Sequence, residues 1–129
     1  MITEDFVSFE TSKLLKEKGF NAKCDKCYAY FADDDIRVLN LKYSKSAQSL
    51  SENRYPCITL QMAMKWLREI HNIHIDIDPE WTSKGGFSVI GYCFNIHSIV
   101  NPWYEDFVIY STYEQAVEAA NKYCLENLI

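Results

Sequence analysis

Glycine and proline are scarce, with four and three in 129 residues, and the chain holds only three histidines. Tight backbone approach to a phosphate needs glycine, and only Gly85-Gly86 offers it, without the lysine-serine sequel of a P-loop. No nucleophile elbow and no HExxH helix is present either. Positive charge is also short. Thirteen basic side chains face eighteen acidic ones, giving a net charge of −5 and a pI near 5.1. The lysines are scattered (Lys13, Lys16, Lys18, then Lys42, Lys45, Lys65), so the clustered basic patch that draws nucleic acid is missing and no nucleic-acid partner is expected. The acidic excess is too mild for a DNA mimic. No apolar run approaches the ~18–20 residues that cross a bilayer, so no membrane partner is expected. The opening Met1-Ile2-Thr3-Glu4-Asp5 has neither the basic nor the apolar region of a secretory signal, which sets the expectation of a cytoplasmic protein.

Apolar and aromatic side chains are well supplied, at 48% and 15%, with nine tyrosines. The length fits one domain, and the expectation is a single α+β domain over residues 1–129. Five cysteines (Cys24, Cys27, Cys57, Cys93, Cys124) are an odd number, and a reducing compartment keeps them as thiols.

Apolar periodicity predicts a helix over 7–18, capped by Ser8 and closed by Gly19, with Phe20 folding back onto it. A polar loop over 21–26 leads to a hairpin of 28–32 and 36–41 turning at Asp33-Asp34-Asp35. The serine-rich segment 44–53 reads as a mobile loop. Thr59 caps a second helix over 60–71, and Ile73–Asp78 alternates as a half-buried strand ending at Pro79. A turn at Gly85-Gly86, a long strand over 87–99 bent at Gly91, and a last strand over 107–110 follow. Ser111 with Glu114, or Thr112 with Gln115, fits a capping box for the third helix. The order α-β-β-α-β-β-β-α, with short links, favours a two-layer α+β sandwich with a mainly antiparallel sheet.

Four constellations carry chemistry. Cys24-Asp25-Lys26-Cys27 has CxxC spacing, but it follows a helix instead of opening one, which excludes the redox use. With His71 and His74 it makes a Cys₂His₂ set for zinc, although over forty residues separate the halves where fingers use about 12–15. Three aspartates at 33–35 lack the alternating ligands and closing glutamate of a calcium loop. Cys93 and His97 share a strand face four positions apart and form the only pair for a small hydrolase. Trp81, Trp103 and Tyr104, beside Glu80, Glu105 and Asp106, have the anchor-and-rim composition of a protein contact, including that of a homodimer.

Three segments carry a resemblance: Asp5–Glu10 with Leu14–Phe20, Thr59–Glu69, and Thr112–Ala120. Their texture resembles a family of small uncharacterised proteins encoded by gut bacteria and their phages or mobile elements. No catalytic motif defines that family, so the resemblance implies no activity. The resulting expectation is a non-enzymatic protein-interaction module without a cofactor, with a zinc domain and a small hydrolase as alternatives.

Overall fold

A computed structural model describes residues 2–82 and 88–129. The turn expected at Gly85-Gly86 lies outside the described residues. The fold is α+β, with three helices and antiparallel strands in the expected order, but the strands divide into two three-stranded sheets. The chain forms two compact units, Met1–Ala63 and Met64–Ile129.

In the first unit α1 runs Phe9–Glu17, and Ser8 Oγ accepts the Thr11 N–H at 3.2 Å. Gly19 takes φ +91°, a conformation that costs L side chains strain, and Phe20 N–H returns to the Leu15 carbonyl at 2.9 Å. Phe20 is thereby fully buried, as its place after the glycine predicts. β1 (Lys23–Ala32) pairs with β2 (Asp35–Ser46) on one side and with β3 (Arg54–Pro56) on the other, giving the order β2-β1-β3. Phe9 of α1 sets its ring against Tyr28, Tyr30 and Tyr55, while Cys27 and Ala29, alternating onto the other face of β1, are fully buried.

Two expectations change here. The polar loop over 21–26 is mostly strand, because a register irregularity between Cys24 and Lys26 turns Cys24 and Cys27, three apart, both into buried positions. The serine-rich segment is ordered. Ala47 and Leu50 are buried, Ser46 Oγ donates to the Asn21 carbonyl at 2.9 Å, and Lys16 Nζ donates to the Ser51 and Arg54 carbonyls at 2.8 Å. The serines satisfy the backbone locally, and two apolar anchors offset the ordering cost.

The division between the units falls inside α2 (Leu60–His71), which Thr59 caps by accepting the Met62 N–H at 3.1 Å. Asn72, at φ +52°, ends it in the left-handed conformation that asparagine tolerates. In the second unit β4 (His74–Thr82), β5 (Ser88–His97) and β6 (Tyr104–Glu105) pair in that order, and α3 (Tyr113–Asn127) packs on β4 and β5. Thr112 caps α3 through the Gln115 N–H at 3.1 Å, settling the two capping registers in its favour.

β4 continues through Pro79 instead of ending there. Its partner Tyr92 exchanges both backbone bonds with Tyr110, at 2.8 and 2.7 Å, so the Pro79–Tyr92 pair is non-hydrogen-bonded and the proline nitrogen faces the outer edge of the sheet. The strand expected over 107–110 shrinks to a single bridge at Tyr110. Asp106 Oδ1 accepts the Val108 N–H at 3.0 Å and turns the chain, so Phe107, Val108 and Ile109 stay exposed. Gly91 is required where this segment crosses β5, since a Cβ there would collide with Ile109 and stand 2.7 Å from the Tyr110 carbonyl oxygen.

Candidate functional site

Register decides what each face of the second sheet carries. Ile75 faces Ile96, Ile77 faces Phe94 and Pro79 faces Tyr92, and on this side Tyr92 meets Tyr113 and Tyr104 meets Tyr123 of α3. The alternate residues occupy the opposite, open face: His74 with His97, Asp76 with Asn95, Asp78 with Cys93, and Asn95 again with Glu105 of β6. Three cross-strand contacts knit it. His97 Nε2 lies 3.3 Å from Asp76 Oδ2, Asn95 Nδ2 donates to Asp78 Oδ2 at 2.7 Å, and Cys93 Sγ donates to Glu80 Oε1 at 3.2 Å. Trp103 sets its ring edge-on to His97 with centroids 4.5 Å apart and is 55% exposed. Ile109 reaches over Gly91 at the other end.

The electrostatics are one-sided. Among the described residues, Asp76, Asp78, Glu80 and Glu105 share this face with His74 and His97. Burial first, then the Glu80 hydrogen bond and the negative charges of Glu80, Asp78 and Glu105, push the Cys93 thiol up to about 11. Glu105 has no hydrogen bond or ion pair among the described residues. Asn95 is only 7% exposed, and its Oδ1 is buried without a hydrogen-bond partner.

This geometry removes the ground for the hydrolase. Cys93 bonds to Glu80 and not to His97, and an acid raises a thiol's pKa where a nucleophile needs it lowered. The zinc set draws on both units, with Cys24 and Cys27 in the first and His71 and His74 in the second. Among the described residues no three His, Cys, Asp or Glu side chains form a group able to hold a metal ion. Cys24 donates weakly to the Lys45 carbonyl at 3.5 Å, His71 packs its ring on Trp66 at 4.6 Å, and His74 bonds Asn72 at 3.0 Å. Burial pushes the thiols of Cys24, Cys27 and Cys57 up, keeping them neutral. Cys24 and Cys57 line a cavity of about 260 Å³ in the first unit, beside Phe6, Lys26 and Met62. The aspartates at 33–35 serve the hairpin, with Asp33 accepting from Tyr30 at 2.6 Å and Asp35 pairing with Arg37 at 2.9 Å.

The aromatic trio divides. Trp103 stands on the open face, Tyr104 is half-buried against Tyr123 at 4.1 Å on the helix side, and Trp81 is exposed near the far end of β4, where it pairs with Val89. Asp76, Asp78 and Asn95 are the residues that sequence reading passed over. The alternation His74-Ile75-Asp76-Ile77-Asp78 marks two of them as one face, but Asn95 joins them only through strand register. No family model, no curated protein and no solved structure matches this chain.

Proposed function

We propose that this chain is a non-enzymatic protein-interaction module that binds through the open face of β4-β5-β6. The observation that carries the reading is an exposed aromatic ring, Trp103, set among uncovered carboxylates on a sheet face whose other side is packed by α3. Buried aromatic anchors with polar surroundings dominate binding energy in protein contacts, and a tryptophan left exposed in the free protein supplies such an anchor. The partner presents basic and apolar groups, by charge complementarity with Asp76, Asp78, Glu80 and Glu105. No helix among the described residues is long and apolar enough to cross a membrane. The five thiols, all unpaired in this structure, support a reducing, cytoplasmic setting.

A photo-activated cross-linker at position 103 tests this in cells. It captures a discrete protein, while the same group at exposed Lys65 on α2 does not. Capture that is equal at both positions, or that survives Glu105→Lys unchanged, overturns the reading. A captured second copy of this chain would make the contact a homodimer.

A further inference from the structure

Asn95 is an odd residue to find nearly buried in a sheet. Its Nδ2 is used by Asp78, but its Oδ1 is an acceptor with no donor: the side chains directly across from it (Asp76, Glu105) are acceptors when ionised, and the donors flanking it on β5, Cys93 and His97, turn to Glu80 and Asp76. A buried carbonyl oxygen left without a donor keeps its full desolvation penalty, so the arrangement calls for a donor-rich group from outside. A metal ion is a poor fit, because no three ligating side chains converge among the described residues. An ammonium is a compact point charge that uses neither the spread of acceptors nor the ring beside them.

We infer that this face is a guanidinium site, in which an arginine side chain of the partner donates to Asn95 Oδ1 and to the Asp78 and Glu105 carboxylates beside Trp103. The inference rests on the interaction reading above and names the chemistry of its partner. Guanidinium is planar, carries five donors, is weakly hydrated and stacks on aromatic rings. The face matches each property: acceptors on three strands, a nearly dry oxygen at the centre, and an exposed indole at the margin. Glu105, without a partner among the described residues, is the carboxylate left for the incoming charge, since Asp76 and Glu80 are engaged by His97 and Cys93. Asp78 and Glu105 are exposed side chains, whose rotamer changes are fast motions.

The test is an NMR titration of the ¹⁵N-labelled full chain with acetyl-Gly-Arg-Gly-amide, and with its citrulline and lysine counterparts. The arginine peptide shifts the Trp103 indole and Asn95 amide signals with millimolar affinity. Citrulline, isosteric but neutral, leaves them in place, and lysine binds several-fold more weakly. Glu105→Gln weakens the arginine peptide about fivefold, in line with one charge-assisted hydrogen bond. Asn95→Leu abolishes the shift at Trp103, and Glu105→Gln still decides the matter if that variant does not fold. Equal response to citrulline, equal response to lysine, or shifts confined to other residues overturns the guanidinium site. If the peptide is silent while the cross-linker at position 103 still captures a protein, the guanidinium inference falls and the interaction reading stands. Silence of both removes both.

Discussion

The two sheets use the same run of elements, a helix followed by three strands, and arrange them differently. In the first, the opening strand β1 is central and both its faces are occupied, with Tyr28 and Tyr30 beside α1 and Cys27 and Ala29 buried on the other side. In the second, β5 is central and α3 packs on one face, while the other keeps Asp76, Asp78, Glu105 and the Trp103 indole exposed. Where β1 is covered on both sides, over Cys27–Tyr30, it is aromatic or small, and its charged residues lie nearer the strand's start. A strand covered on one side alternates, and its polar half is free to acquire a use. The difference locates the candidate site in the second sheet.

The largest effect that sharpens this contrast is on stability. Phe94, 1% exposed beneath α3, carries the one-sided core, and Phe94→Ala is expected to cost about 3–5 kcal/mol in a denaturant melt. Cys27→Ala in the first sheet removes one sulfur atom and is expected to cost about 1–2 kcal/mol. Equal losses would break the comparison. Gly91→Ala forces a Cβ against Ile109 and the Tyr110 carbonyl and is expected to cost about 1–3 kcal/mol. Adding Ile109→Ala recovers only part of it, because the backbone oxygen stays. Loss of the α3 cap in Thr112→Ala costs about 1 kcal/mol by the same melt.

The smallest expected effects lie on the open face. Asp76→Asn removes an exposed pairing with His97 and shifts stability by less than about 0.5 kcal/mol, so a large loss would mean the face is structural. Cys93 gives a pH handle. The folded state holds its proton more tightly than the unfolded chain, so its contribution to stability is complete below pH 9.0, the thiol's ordinary value. That contribution is lost as pH rises through about 11. At pH 8 the thiol is alkylated by iodoacetamide more slowly than free cysteine, and Glu80→Gln speeds the reaction by withdrawing the acceptor and its charge.

Local signals in the sequence foretold much of the fold. Ser8, Gly19, Thr59 and Thr112 each cap the helix their chemistry indicated, and α2 has the expected bounds. Errors arose where a non-local partner decided the outcome. Residues 23–26 look like loop until β2 pairs with them, and the apolar stretch 107–110 looks like a strand until Asp106 turns it outward. The site was legible in the same proportion. Trp103 and the alternating aspartates stand out in one dimension, whereas Asn95 becomes central only when β4 and β6 flank it.

Pro79 has a bearing on how the molecule behaves in crowded solution. Because its nitrogen looks outward from the free edge of β4, a foreign strand trying to zip along that edge meets a missing donor midway. A single ring thus denies neighbouring molecules a continuous template along that edge on which to stack into fibrils.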